Sequence, residues 1–324
     1  MSLHKQAQEH GITPSSKEEN KAIFRTLLEI GKSDQQLHVK REQGRQAANR
    51  LVEGRKVLDT VRKTGKATHL MAYGSGAPNA RIVEQINQGV IGTLREVHNW
   101  SHRPVWPQYQ ELPADRPPVP KGFDWQLWLG PERDRPYHPH YTHTVFRGWY
   151  DFGGGAMADM GIYSLWPVFV GLGLEPAVQA LAFPTHTCYI ASGASRRRAN
   201  DFSYPIGCTL RFQFAPSGST HGIELFWYDG GVKPRLPREI ESHSIDVAPE
   251  GILFVGDDGM ILGSFHGRDP QLFAKGKRQP LKVDDGPRMP ARRISLWIDE
   301  CLGGDQSPGS FLNTAAITDT VNLG

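Results

Sequence analysis

The second half of this chain is a tandem of short alternating runs separated by turn residues, and that pattern constrains the fold more than any other feature. AVQALAF (177–183), PIGCTLRFQFAP (205–216) and STHGIELFWYDGG (219–231) place apolar and polar residues on alternate sides, the period of a half-buried strand. GILFVGDDGMILGSFHG (251–267) reads as two strands turning on Asp257-Asp258-Gly259, residues that tolerate the backbone of a tight hairpin. Strands joined in this way pair antiparallel, and a sheet with one apolar face needs a cover. Helical patterns from Met157 to Leu172 and at 290–303 and 310–323 supply one. The fold class expected is α+β: an open, mostly antiparallel sheet with helices on one face.

The first half is less regular. Ser16 and Glu19 form a capping box ahead of an apolar stripe (Ile23, Phe24, Leu27, Leu28, Ile30) that stops at Gly31, which predicts a short helix. Residues 32–50 are polar and carry no clear period. From Leu51 the pattern sharpens into a helix closing on Lys63-Thr-Gly65. A strand over KATHLMAYG (66–74), a helix over APNARIVEQINQGVIG and a strand over TLREVHNWS (94–101) follow. Pro78 sits near the start of that second helix, where its missing N–H costs nothing.

Composition removes several classes of function. A net charge of +3, from 37 basic and 34 acidic residues, is too balanced for nucleic acid or an anionic membrane surface. The basic triplet Arg196–Arg198 lies among Ser, Ala and Gly and reads as a solvated loop face. Cys188, Cys208 and Cys301 are odd in number, far apart and without metal spacing, which fits a reducing cytoplasm. The start MSLHKQAQEHG has no apolar signal core, and no stretch approaches a membrane span.

Six of the eight tryptophans fall between Asn99 and Trp166, mixed with Arg, His and Asp and interrupted by Gly153–Gly155. Such a mixture suits a cleft for a flat-faced polar ligand such as a sugar, and equally a long aromatic loop pinned over a sheet. Several candidates for chemistry lie nearby. Asp159 and Tyr163 stand four apart on an expected helix just beyond the glycines, so both project from one face. A carboxylate there accepts protons or grips hydroxyls, whereas a tyrosine hydroxyl, titrating near ~10, needs a cationic neighbour to act as a base. His138, His140 and His143 are spaced too loosely for a convincing metal site, and hydrogen bonding to a polar ligand or solvent is the better reading. Trp227-Tyr-Asp229-Gly-Gly-Val-Lys233 ends a strand with an acid and a lysine in a turn. Gly74-Ser-Gly76-Ala-Pro-Asn79 has the context of a dinucleotide loop but lacks its third glycine and the later acidic residue, so it reads as a strand-to-helix turn.

From Leu51 onward the chain resembles the Gfo/Idh/MocA oxidoreductases, in particular a bacterial subgroup with a long aromatic insertion. The phrases that carry the resemblance include EGRKVLDTVRKTGKATHLM, INQGVIGTLREVHNW, DWQLWLGP, RGWYDFGGGAMADMG, FWYDGGVKP and GILFVGDDGMILG. The resemblance implies a Rossmann domain holding NAD or NADP, followed by an α/β domain whose open sheet mediates oligomerisation and which binds a sugar or polyol derivative. It divides the chain into an atypical polar and helical segment (1–50), a helical remnant of the end of a Rossmann domain (51–93), and a substrate-binding and oligomerisation domain (94–324). Most of the cofactor half is then missing, and the chain is truncated relative to the family. No Glu-Lys-Pro, the family's catalytic lysine segment, occurs anywhere in it. The family's Asp-x-x-x-His helix stands here as Asp159-Met-Gly-Ile-Tyr163.

The roles implied are Asp159 to orient or deprotonate a hydroxyl and Tyr163 to hydrogen-bond the same carbon centre. Arg103, Trp106, Arg147, Trp149 and Lys233 then line the pocket. The expected partners are a small carbohydrate and a further copy of the chain through the open sheet. Two other readings stand beside this one: a non-catalytic carbohydrate-binding or assembly module, and a carbohydrate hydratase or lyase built on the histidine cluster.

Overall fold

The computed structural model describes residues 51–70, 78–130, 132–216, 222–283 and 293–324. The expected helix from Ser16 to Gly31, the polar segment 32–50 and most of the Gly74–Asn79 turn lie outside them. Helices α1 (Leu51–Thr64) and α2 (Pro78–Asn87) lead into strand β1 (Leu94–Trp100). A long connection carrying the short helix α3 (Trp125–Leu129) then reaches a wide π-type turn, Met157–Gly161, that runs into helix α4 (Ile162–Leu172). Strands β2 (Gln179–Pro184), β3 (Cys188–Ala191), β4 (Ala194–Arg197), β5 (Cys208–Gln213) and β6 (Glu224–Tyr228) follow. After the one-turn helix α5 (Arg238–Glu241) come β7 (Gly251–Gly256), β8 (Met260–Ser264), β9 (Gln271–Ala274) and β10 (Lys277–Pro280). Helices α6 (Arg293–Cys301) and α7 (Ala315–Leu323) close the chain.

Eight strands form one open sheet in the order β10-β9-β8-β7-β1-β6-β5-β2. Only β1 against β6 is parallel, and β3 and β4 make a separate hairpin. Register determines the two faces. Val97, Leu210, Phe212, Leu225, Trp227, Ile252, Phe254, Ile261 and Leu272 share one face and are buried under Ile82, Val83 and Ile86 of α2, Leu165, Val168 and Phe169 of α4 and Ile317 of α7. Each such fully buried side chain contributes about 1.5–3 kcal/mol. The helices therefore cover one face, as the alternation of apolar residues requires, and α2 shares the core of the sheet that follows it.

The opposite face carries Glu96 and His98 of β1, Glu224, Phe226 and Tyr228 of β6 and Arg211 of β5. At one end of it, Trp100, Leu253, Met260 and Phe273 are covered by Leu236, Ile240, Ile245 and Val247. At the other end Leu181 and Phe183 stay exposed. No helix among the described residues is long and apolar enough to cross a membrane.

Two expectations change. Residues 66–70 form no strand: Leu70 N donates to Gly309 O, and His69 Nδ1 lies 2.8 Å from Ser307 Oγ, so the segment is tied to a loop and lacks a ladder partner. Hairpins also exist where none was expected. Ser192-Gly193 and Lys275-Gly276 turn β3 into β4 and β9 into β10 with positive φ at both positions (50° and 76°; 52° and 70°). That is the backbone of a two-residue hairpin loop.

Candidate active site

The aromatic stretch is a second, smaller core rather than an open wall. Tyr109, Trp125, Leu129, Tyr137, Tyr141, Trp149 and Phe152 bury one another. Trp149 stacks on Tyr109 with ring centroids 4.1 Å apart and meets Tyr141 edge-on at 4.8 Å. The indole N–H groups donate to carbonyls of the same stretch: Trp125 to Arg135, Trp128 to Tyr141 and Trp149 to His140, at 2.7, 2.9 and 2.8 Å. A long loop placed inward has carbonyls that need donors, and indoles provide them without adding charge. Trp149 is 1% and Trp106 5% exposed, so neither lines a cleft as the sequence suggests. They hold the loop that carries the site.

That loop doubles back at the glycine run. Gly153 N donates to Trp149 O at 2.9 Å, and a Cβ at Gly153 would lie 2.5 Å from Arg147 Cα. Gly155 adopts φ +66° with the Tyr204 ring 2.9 Å from where its Cβ would be. Glycine alone lets the chain pass this close and turn this way. The result brings Arg147 onto the turn Met157–Gly161, where its Nε donates to Asp159 Oδ1 at 2.6 Å. Arg147 Nη1 donates to Thr144 O at 3.3 Å, and its guanidinium lies 4.8 Å over the Phe146 ring. The side chains of both partners are part-exposed, and Asp159 Oδ2 makes no hydrogen bond among the described residues. The pair presents one carboxylate oxygen and one guanidinium edge to a ligand, an arrangement that accepts from one hydroxyl and donates to a neighbouring oxygen.

Tyr163 follows the π-type turn as the second residue of α4 and makes no hydrogen bond to Arg147 or Asp159 among the described residues. Its ring is 38% exposed. Arg103 lies past the end of β1, its carbonyl accepting from Gly230 N at 2.5 Å, and its Nε is buried without a hydrogen-bond partner. Lys233 donates to Val247 O, which ties the loop after β6 to the segment covering Trp100. The structure thus brings Arg147 and Asp159 together and places Lys233 in a structural contact.

Beneath the Asp159 turn, Gly161 faces the ring of Trp227, whose Nε1 donates to Asp229 Oδ2 at 2.9 Å. Asp229 Oδ1 accepts from Cys208 N at 2.5 Å. Burial outweighs these two bonds and pushes the Asp229 carboxyl up to about 6. Burial, and then the Asp229 charge, pushes the Cys208 thiol up to about 11. The sequence marks Asp229 only as an acid in a turn, because nothing local says that the turn is buried. His98, not singled out in the sequence, sits on the other face between Tyr228 OH (3.0 Å from Nδ1) and Glu96 Oε2 (2.9 Å from Nε2). Burial holds its ring below the usual histidine range, against the hydrogen bond to Glu96.

His138 is buried, accepts from His140 N and lies 3.2 Å from Asp115. The His140 ring packs edge-on against it at 4.3 Å, and His143 is exposed. Among the described residues no group of three or more His, Cys, Asp or Glu is placed to hold a metal.

A dinucleotide would need free amides at a helix start, and the described residues do not offer them at α2. Pro78 has no N–H, and Asn79 is 0% exposed, its amide donating to Ser164 O and Phe265 O at 3.0 and 3.2 Å. The unpartnered atom of Asn79, Oδ1, is an acceptor and repels phosphate.

Residues 83–208 match the oxidoreductase family Gfo/Idh/MocA, C-terminal alpha/beta domain. No curated protein sequence matches the chain. Among solved structures, an oxidoreductase from Thermotoga maritima is similar at 12% identity and a TM-score of 0.46, over 85% of this chain and 65% of that one. An aldose-aldose oxidoreductase from Caulobacter crescentus is similar at 16% identity and 0.45, over 84% and 65%. A UDP-N-acetylglucosamine 3-dehydrogenase from Acidithiobacillus ferrooxidans is similar at 8% identity and 0.44, over 84% and 65%. The chain thus spans 65% of the length of each of these three proteins. Over residues 83–208, this chain is therefore similar to the C-terminal α/β domain of the Gfo/Idh/MocA oxidoreductases.

Proposed function

We propose that this chain is the substrate-binding part of an oxidoreductase acting on a sugar or sugar derivative, with Arg147 and Asp159 as the pair that grips it. The observation that carries the reading is the single hydrogen bond between them, 2.6 Å long, which leaves Asp159 Oδ2 unpartnered at the head of a helix. Asp159 accepts from, or takes the proton of, a substrate hydroxyl, and Arg147 donates to the adjacent oxygen. Tyr163 hydrogen-bonds the same carbon centre from the exposed side, and Arg103 borders the approach. Trp106 and Trp149 support the loop from behind, and Lys233 fixes the neighbouring one. In the family the hydride acceptor is NAD or NADP, and the start of α2 in this chain does not fit its pyrophosphate.

In this reading 51–93 is the end of a cofactor domain and 94–324 the substrate domain. The exposed end of the sheet, with Phe183 60% exposed, is the surface through which copies assemble. Three free cysteines suit a cytoplasmic setting.

The buried start of α2 favours a second reading, a carbohydrate-binding or assembly module without redox chemistry. Calorimetric titration separates the two. An aldose or polyol that binds the parent protein and binds Asp159→Asn about tenfold more weakly is the expected result. Sugar binding unchanged by Asp159→Asn overturns the assigned pair. Titration with NAD(H) and NADP(H) then decides between readings: micromolar affinity with sugar-dependent reduction supports the oxidoreductase, and sugar binding alone supports the module.

A further inference from the structure

The connection between β2 and β5 crosses the aromatic loop and leaves a cleft of about 370 Å³, a size that accepts a small ligand. Gln108 and Tyr150 line it from the aromatic loop, and Thr185, His186, Arg197 and Arg198 from the connection. The β3–β4 hairpin makes the basic side: Arg197 ends β4, and Arg198 N donates to Thr187 O at 2.9 Å, closing the hairpin base. Two arginines and a histidine line this space, and among the described residues no carboxylate does. Its potential is therefore positive, in a chain whose overall charge is nearly balanced.

The polar groups are also incompletely used. Arg197 forms no ion pair among the described residues. Arg198 is held over the Tyr189 ring at 4.9 Å and reaches only the well-exposed Glu111, at 3.4 Å. Its Nε is buried without a hydrogen-bond partner, as is Gln108 Oε1 on the opposite wall. A buried donor and a buried acceptor left without partners are each costly, and a ligand relieves that cost when the side chains turn to it. The donor belongs to a guanidinium and calls for an oxyanion, whereas the acceptor is a neutral amide oxygen and calls for a hydroxyl.

We propose that this cleft is a binding site for a small hydroxylated oxyanion, a hydroxy carboxylate or a phosphate ester, with Arg197 and Arg198 on the oxyanion and Gln108 on the hydroxyl. The site is separate from Arg147 and Asp159. Tyr150 meets Tyr204 edge-on at 4.5 Å, and Tyr204 packs on Gly155, so two rings stand between the cleft and the start of the Asp159 turn. It does not depend on the redox reading.

The test is calorimetric titration of the full chain with D-gluconate, D-glucose 6-phosphate, inorganic phosphate and D-glucose. The expected result is binding of gluconate, glucose 6-phosphate or both, at a concentration where glucose gives no heat in the Asp159→Asn background. Gluconate alone assigns the carboxylate as the source, and glucose 6-phosphate alone assigns the phosphate. Arg197→Gln, at an exposed position that leaves folding intact, weakens that binding at least tenfold, and added salt weakens it further. Gln108→Ala weakens the hydroxylated anions and leaves inorganic phosphate unchanged. Absence of heat with both hydroxylated anions overturns the proposal, and so does an affinity that Arg197→Gln does not move. Because every arm is read in the Asp159→Asn background, failure here is distinct from failure of the sugar site.

Discussion

Raising the pH from about 4 to about 7 removes stability through one buried carboxylate, that of Asp229. The group is buried and burial raises its pKa from 3.8 to about 6, in spite of donors from Trp227 and Cys208. In the unfolded chain it titrates near its ordinary value. Between the two values the folded protein holds a proton that the unfolded chain has released. Folding is then favoured at low pH, and the advantage is lost as pH rises through the folded value. A shift of about two units at ~1.4 kcal/mol each corresponds to about 3 kcal/mol. Asp229→Asn removes the titration. Its single acceptor oxygen serves one of the two N–H donors and its NH₂ confronts the other, a cost of about 1–3 kcal/mol that does not change with pH in this window. Urea denaturation of both proteins at half-unit pH steps reads the difference. Carboxylates they share, such as Glu224 held low by Arg211, cancel in the subtraction. The expected difference curve moves by about 3 kcal/mol in favour of the variant between pH 4 and 7. Parallel curves across that range refute the assignment of a desolvated carboxyl at this position.

The glycine run and the aromatic core give two further outcomes. Gly153→Ala sets a Cβ 2.5 Å from Arg147 Cα and 2.6 Å from its carbonyl oxygen, with only backbone to yield. It is expected to cost about 1–3 kcal/mol in urea denaturation and to weaken any sugar affinity with it, and a variant as stable as the parent contradicts the close approach. Trp149→Phe leaves His140 O without its 2.8 Å donor and a gap among stacked rings. A loss of about 2–4 kcal/mol is expected by thermal or chemical denaturation, against less than ~0.5 kcal/mol for the exposed Tyr163→Phe, and equal effects at the two positions sink the distinction between core ring and exposed ring.

How far such features are legible before folding depends on whether their cause is local. The β7–β8 hairpin is legible because period, length and turn residues agree within one short run, and the structure pairs Val255 with Met260 across Asp257-Asp258. The β9–β10 hairpin is not, since its four-residue strands are too short to display a period and β10 (Lys277–Pro280) is a polar edge strand. The same division runs through the site. Asp159 is recognisable from its place after the glycines, yet its bond to Arg147 depends on a close approach at Gly153 that no spacing encodes. The aromatic stretch is the sharper case, because rings mixed with polar residues describe a cleft and a pinned loop equally well. What separates the two is the fate of the loop's carbonyls. Once Arg135, His140 and Tyr141 turn their oxygens inward, each requires a donor, and the indoles of Trp125, Trp149 and Trp128 are the groups that meet them. Trp125 and Trp149, so engaged and buried among their neighbours, are not available to stack on a sugar. In the proposed reading, recognition then falls to the polar groups at the loop's edges, Arg147 with Asp159 at one and the Gln108–Arg198 cleft at the other.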